Sequence, residues 1–327
     1  MAEPTVYTET RPLRLVSLFS GIGAFEKALT RLGVPFQVCR YCEIDKHASK
    51  AYALLHNVPE ELNLGDVQEA EPHILPDFDL LTWGFPCTSV SIAGRQEGLR
   101  YRCKECNEEF SLDVMKENNC PNCGSKHIRS ITESGLYLEG LRILIEKKPA
   151  YSVIENVKAL TFKKNQKTLN KILADLEQAG YKNYYKVLNA KNYGIPQNRE
   201  RIFIVSIRKD IEQDFRFPEP FDSGLRLKDL LEEDVDEKYY LSGGYLDWWI
   251  KNKDYQLKKK FSSLDADIAI CLTARQYASW NGNFIEKLDK RTEKIYESLN
   301  LGDFPESEHD IAMLTERRTE EAKKIRR

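Results

Sequence analysis

Phe78-Asp79-Leu80-Leu81-Thr82-Trp83-Gly84-Phe85-Pro86-Cys87 is the stretch whose reading decides the fold of this chain. Its first six residues form a mostly apolar run of strand length, and the following Gly84 and Pro86 end it. A cysteine just past a buried strand sits at the carboxyl edge of a sheet, where open α/β folds place ligand chemistry. Pro86 fixes φ immediately before Cys87, which restricts where the thiol can be aimed. Taken alone, a cysteine at a strand end is more often a small buried hydrophobe. The functional reading therefore rests on what lies elsewhere in the chain.

Working outward, strand and helix patterns alternate through the first two thirds. Leu13 to Phe19, Phe36 to Cys42, Phe78 to Trp83, Tyr151 to Ile154, Tyr184 to Leu188 and Arg201 to Ile207 read as strands. Ala24 to Leu32, stopped by Gly33, reads as a helix, as do Lys46 to His56, Gly135 to Glu146 and Thr168 to Ala179. This rhythm predicts an α/β fold with a doubly wound, mostly parallel sheet. Beyond Arg208 the pattern decays into charged and aromatic stretches, ending in a charged helical pattern from Asp310 to Arg327.

Composition sets wider bounds. The 327 residues can bury a large core, and 49 basic against 51 acidic residues leave a formal charge of −2. No global field draws the chain to nucleic acid, so any such binding must come from local patches. No apolar run reaches membrane-spanning length, and Met1 to Arg14 lacks the apolar core of a signal peptide. The expectation is a cytoplasmic protein with no membrane contact. Its eight cysteines then read as thiols, metal ligands or a nucleophile rather than disulfides.

Three further clusters could share the crevice with Cys87. Ser20-Gly21-Ile22-Gly23 makes a tight turn between strand and helix, allowing close backbone approach by a ligand. Glu43, 22 residues past Gly21, is placed to accept ribose hydroxyls, and Asp66 reads as the end of a third strand, facing an adenine amine. Either acid could equally be a loop carboxylate or a helix cap. Glu155-Asn156-Val157 follows the apolar strand at Tyr151, where an acid would face the same crevice or simply open a helix. In Gln197-Asn198-Arg199-Glu200-Arg201, alternation puts Gln197, Arg199 and Arg201 on one side, suited to a phosphate or a base edge. A charged strand entry with Glu200 as partner is the plainer alternative.

Phe19-Ser20-Gly21-Ile22-Gly23, Gly84-Phe85-Pro86-Cys87, Glu155-Asn156-Val157 and Gln197-Asn198-Arg199-Glu200-Arg201, in this order, resemble the DNA (cytosine-5) methyltransferase family. The resemblance covers roughly Leu13 to Ile207 and implies a class I methyltransferase fold using S-adenosylmethionine. It implies that Phe19, Gly21, Gly23, Glu43, Ile44, Asp66, Val67 and Pro86 line the cofactor site. It assigns Cys87 as the nucleophile, with Glu155, Arg199 and Arg201 completing the catalytic set and double-stranded DNA as the substrate. A tRNA-methylating branch of the family and a non-catalytic zinc-ribbon subunit that keeps the fold are the alternatives.

Cys103-Lys104-Glu105-Cys106 and Cys120-Pro121-Asn122-Cys123 form two C-x2-C pairs separated by thirteen residues. Four such thiols in a reducing compartment predict a structural Zn2+ site, with His127 a bystander. The ribbon reads as an insertion over 99–131, inside a catalytic domain spanning 11–208. Its basic flanks (Arg100, Arg102, Lys126, Arg129) leave open both DNA contact and a purely structural staple. Residues 209–327 read as an incomplete recognition or partner-docking region, since the family's usual C-terminal motifs are not recognisable. Leu272 to Gln276 only hints at the stretch before recognition, and Trp248, Trp249 and Trp280 read as packing anchors. A second methyltransferase subunit or a truncated chain is the expectation that follows.

Overall fold

The computed structural model describes residues 7–86, 99–115, 118–211, 214–232, 235–236, 251–252, 254–260, 262–272, 282–288 and 323–326. Cys87, the three tryptophans at 248, 249 and 280, and most of 310–327 lie outside the described residues. Two compact units form, Met1–Leu188 with Glu200–Pro218, and Asn189–Arg199 with Glu219–Arg327.

The first unit is built on a six-stranded sheet. Its strands are β1 (Leu13–Leu18), β2 (Phe36–Cys42), β3 (Leu80–Trp83), β7 (Tyr151–Val157), β8 (Tyr181–Asn189) and β10 (Glu200–Arg208), in the order β2-β1-β3-β7-β10-β8. Pairings β1–β2, β1–β3 and β3–β7 are parallel, while β10 runs antiparallel to β7. All six strands expected from the sequence are present in this mixed, mostly parallel sheet. The chain steps to one side from β1 to β2 and returns to the other side at β3, so the order reverses beside β1, the arrangement that opens a crevice at the strands' carboxyl ends.

Local sequence explains the helices. Helix α1 (Ala24–Arg31) ends at Gly33, whose φ of 65° is the left-handed conformation that a helix stop favours. Helix α2 (Lys46–His56) starts at Asp45, whose side chain accepts from the N–H groups of Ala48 and His47 at 2.8 and 2.9 Å. Those bonds hold its carboxyl below the usual carboxylate range. Helix α3 (Tyr137–Lys147) begins two residues later than expected because a 3-10 turn, Glu133–Leu136, leads into it. Helix α4 (Gln166–Gln178) closes the series.

Two expectations are corrected. Asp66 does not end a strand; it precedes a single 3-10 turn, Val67–Glu69, and caps it through the Gln68 N–H at 3.0 Å. At the C-terminus, Lys323–Arg326 form strand β14 rather than helix, antiparallel to β13 (Asn283–Leu288). Backbone pairing with a distant strand overrides the local charged periodicity there. The second unit also holds β11 (Ser263–Leu264), parallel to β13, and the short parallel pair β9 (Gln197–Asn198) with β12 (Ala269–Ile270).

Between β3 and α3, three short strands, β4 (Arg100–Cys103), β5 (Glu109–Ser111) and β6 (Ile128–Ser130), form an antiparallel sheet with β4 central. The main core runs through Leu18, Leu81, Trp83, Tyr137, Leu141, Ile154, Leu169 and Ile204. Some polar atoms buried beside it find partners across strands: the Trp83 indole N–H donates to Ser152 Oγ at 2.9 Å, and Thr82 Oγ1 to Ser17 Oγ at 3.0 Å. Trp83 also stacks on Tyr137, with ring centroids 5.6 Å apart.

Gly140 lies against that indole, and a Cβ there would sit 2.2 Å from Trp83 Cε3. Gly140→Ala is expected to destabilise the first unit by about 1–3 kcal/mol through overpacking, despite the better helix propensity of alanine. Chemical denaturation of both proteins measures it; an equal or higher midpoint for the variant would contradict this packing.

Candidate active site

Strand register assembles the site. Leu18 is level with both Cys42 and Trp83, and Trp83 is level with Ile154. One residue beyond each of these positions come Phe19, Glu43, Gly84 and Glu155, which therefore form a row across the carboxyl edge of β1, β2, β3 and β7. Three inter-strand spacings separate Glu43 from Glu155, roughly 14 Å.

At one end of the row the backbone is contorted. Phe19, Gly21 and Gly23 all have positive φ (55°, 56° and 84°), which is ordinary for glycine and strained for phenylalanine. Space for a side chain at Gly21 is open, but a Cβ on Gly23 would fall 2.0 Å from His56 Nε2, an atom 3.0 Å from the Ile22 carbonyl. The Gly21 N–H donates to Glu43 Oε2 at 2.9 Å, and the Asp45 N–H donates to Glu43 Oε1 at 2.8 Å. Each carboxylate oxygen keeps a further lone pair for a ligand hydroxyl. Ile44, beside it, is 76% exposed. Asp66 is bonded to Gln68, and Val67 is 2% exposed, packed into the main core instead of lining the crevice with its side chain.

Asn63 is the residue that sequence reasoning missed. Its Oδ1 accepts from the N–H groups of Glu43 and Gly65 at 3.0 and 2.9 Å. Its Nδ2 donates to the Glu43 carbonyl and to Ser49 Oγ, both at 2.9 Å. One side-chain amide thus clamps the end of β2 to the Gly65-Asp66 turn. An isolated asparagine in a loop carries no sequence signal for such a role.

At the other end of the row, Glu155 pairs with Arg201, Nε to Oε1 at 3.1 Å. The antiparallel register explains it: Arg201 is level with Val157, two residues from Glu155 and hence on the same face. Its neighbour Asn156 points the other way, is buried, and donates to the Phe85 carbonyl at 3.1 Å, tying this strand to the segment that leads into Pro86 and Cys87. Gly84 accommodates close approach: a Cβ there would meet the Glu155 carbonyl oxygen at 3.2 Å and Oε2 at 3.5 Å. Pro86 is half-buried at the end of this described stretch.

The Gln197 to Arg201 motif is divided. Arg201 belongs to the first unit, whereas Gln197 and Arg199 belong to the second, where Arg199 Nη1 lies 3.9 Å from Cys271 Sγ. Glu200 pairs with Lys158 at 2.8 Å. The thiols of Cys39 and Cys42 are buried, and burial pushes Cys42 up to about 12.

In the ribbon, the Sγ atoms of Cys103, Cys106, Cys120 and Cys123 all lie within 4.8 Å of one another. The N–H groups of Glu105 and Cys106 point at Cys103 Sγ at 3.4 and 3.5 Å, and backbone N–H donation from Glu108 holds the Cys106 thiol down at about 6. Both effects favour the thiolate that a metal binds. His127 stands apart, paired with Glu105 at 2.8 Å.

The family model for C-5 cytosine-specific DNA methylases matches residues 13–103 and 122–326. The chain belongs to this family. The break in the match, 104–121, falls inside the ribbon, between β4 and β6. Among relatives, an orphan methyltransferase, M.SPBetaI, of Bacillus phage SPbeta is 37% identical over 262 residues, covering 70% of this chain and 59% of its own. The type II methyltransferase M.NlaX of Neisseria lactamica is 33% identical over 307 residues, with 90% and 86% covered. The chain thus spans 59% of the length of the phage relative but most of the Neisseria one. A crystal structure of S. pombe Dnmt2 methyltransferase has the same fold, with a TM-score of 0.59 at 19% identity, covering 88% of this chain and 81% of that one. Among the described residues, no helix is long and apolar enough to cross a membrane.

Because Gly23 combines positive φ with the closest His56 contact, Gly23→Ala is expected to lower the melting temperature and to abolish cofactor-dependent stabilisation. A thermal scan with and without S-adenosylmethionine tests this; an intact ligand-induced shift would exclude the turn from the site.

Proposed function

We propose that this methylase-family chain transfers a methyl group from S-adenosylmethionine to C5 of a cytosine in double-stranded DNA. The observation that carries the reading is the row at the sheet edge, with the glycine turn and Glu43 at one end and the Glu155–Arg201 pair at the other. The cofactor's groups fit the first end: Glu43 for the ribose hydroxyls, Ile44 as an exposed apolar face for the base, and the Phe19-to-Gly23 backbone for close approach. Ser20 Oγ, buried without a partner, is a further polar atom available there. When bound, S-adenosylmethionine supplies an electrophilic methyl on a sulfonium.

The chain's own residues make the cytosine able to accept it. C5 of cytosine is too poor a nucleophile unaided. The Cys87 thiolate adds to C6, and the electrons of the C5–C6 double bond become available at C5 as an enamine. Glu155 hydrogen-bonds the exocyclic amine and N3, stabilising the ring as it takes up charge. Arg201 holds Glu155 in place before substrate arrives and holds the ring carbonyl afterwards; Arg199 orders the substrate backbone. After methylation a base removes the C5 proton, and those electrons re-form the double bond as the thiolate leaves. A stacked cytosine cannot reach Cys87, so the base is flipped out at a cost of about a few kcal/mol.

Zn2+ is the ion we assign to the four ribbon sulfurs, on their number, mutual distances and N–H donors. The domain division at 11–208, with the 99–131 insert and a 209–327 recognition region, is retained as part of this proposal, as is a cytoplasmic setting. A second subunit has less behind it: that expectation rested on unrecognisable C-terminal motifs, and the family match runs through residue 326.

Incubation with duplex DNA carrying 5-fluorocytosine and S-adenosylmethionine is expected to trap a covalent complex, because fluorine cannot leave as a proton does. Cys87→Ser should form none, and Glu155→Gln should form it about 10²–10³-fold more slowly. Absence of any adduct from the wild-type chain on DNA, with adduct formation on tRNA, would transfer the activity to the RNA-methylating branch.

Asn63→Ala is expected to raise the dissociation constant of S-adenosylmethionine about tenfold by freeing Glu43, with less effect on turnover at saturation. In a double-mutant cycle with Glu43→Ala the two losses should be strongly non-additive. Full additivity would mean that Asn63 does not act through Glu43.

A further inference from the structure

An inserted zinc ribbon is commonly a separate module that folds by itself and touches a partner. Here the burial pattern is different. Tyr101, Phe110, Leu112 and Met115, all from the ribbon and all at most 5% exposed, belong to one continuous core with Trp83, Tyr137, Leu141, Leu169, Ile172 and Leu176. Two of the sulfur-bearing residues, Cys103 and Cys120, are part of that same core. Backbone bonds close the ribbon on itself at its root, and one side-chain bond joins it to a framework helix. Leu112 N–H donates to the Leu99 carbonyl at 3.0 Å, Ile131 N–H to the Arg100 carbonyl at 3.0 Å, and Arg100 N–H to Thr132 Oγ1 at 3.1 Å. Lys171 of α4 reaches Asn118 Oδ1 at 3.2 Å.

The side chains that pack into the shared core sit on short strands. β4 has four residues, and β5 and β6 have three each, too short to hold a shape by ladder bonds alone. What fixes their mutual position is the meeting of the two C-x2-C turns. Each turn carries a buried cysteine that packs in the core and a second cysteine closer to solvent. The charged flank gives less to a DNA-facing role, because Arg100 and Arg102 share Glu109 as partner.

We propose that the ion held by Cys103, Cys106, Cys120 and Cys123 is a keystone of the catalytic unit's own core, so that metal binding and folding of that unit are a single event. This rests on the assignment of Zn2+ to the ribbon and is independent of the methyl-transfer reading. Without the ion, nothing bonds the two C-x2-C turns across the 4.8 Å or less that separates their sulfurs, and the turns part. The aromatic and aliphatic side chains of β4 and β5 then leave the faces of α3 and α4 that they cover. Loss of the metal should therefore reach the sheet and not stop at the ribbon.

The test uses the full chain. Elemental analysis of the purified protein is expected to give one zinc per chain. A strong chelator should lower a single melting transition by on the order of 10 °C or more. Cys123→Ser provides the control for packing: Cys123 is exposed, so the substitution leaves no buried cavity. It should melt at the chelated temperature and be unaffected by further chelator. Two results would overturn the proposal in distinguishable ways. A chain without stoichiometric metal removes the zinc assignment. A chain that loses its zinc to chelator while its main transition stays put retains the metal site but makes the ribbon an autonomous appendage. Neither measurement depends on methyl transfer, so both stand whatever the 5-fluorocytosine experiment gives.

Discussion

Parallel register is the constraint on which everything else depends. Leu18, Cys42, Trp83 and Ile154 stand level across four strands, and the backbone ladder leaves no freedom to shift one without flipping its side chains to the wrong face. Because the strands end together, the residues just beyond them meet along one edge. Residues separated by more than a hundred positions in sequence thereby share one sheet edge. The buried strands are held by apolar packing on both faces, and Thr82, Ser17, Ser152 and the Trp83 indole N–H are paired across strands. The edge is left to carry polar and charged groups whose bonds are satisfied locally.

Those local bonds divide the crevice into two chemical ends. One is a backbone-rich cradle, where strained φ values and the Asn63 clamp hold Glu43 in place. The other is a charge pair, Glu155 with Arg201, beside a glycine whose missing Cβ leaves room for the Glu155 backbone carbonyl. Asn156 links this end to the segment that leads into Pro86 through a buried bond to the Phe85 carbonyl. A nucleoside cofactor and a polar base edge make opposite demands, the first on close backbone approach and shape, the second on directed charge. Separation by roughly three strand spacings lets each end meet its own demand.

The ribbon does not stand apart from the rest of the first unit. The family match breaks inside it, at 104–121, and its apolar residues join the core that the sheet and helices share. Such an element can change the stability of the whole unit with no residue in the crevice.

Much of this was legible in the chain itself. Strand and helix periodicities located all six strands of the main sheet and the four helices, because each element buries a face whose spacing is set by backbone geometry. The two C-x2-C pairs announced a cluster because that spacing suits four thiols to one metal ion. The pairing of Glu155 with Arg201, the clamp made by Asn63 and the capping role of Asp66 were not legible. Each depends on which loop passes which strand end, and a single polar residue carries no record of its partner. The strand at Lys323–Arg326 was hidden for the same reason: its charged periodicity is local, whereas its pairing with Asn283–Leu288 is a long-range bond. Local spacing determined the elements and the residue types at their ends. Tertiary register alone decided which of those residues meet, because contact between distant segments is a property of the packed sheet and not of any one segment.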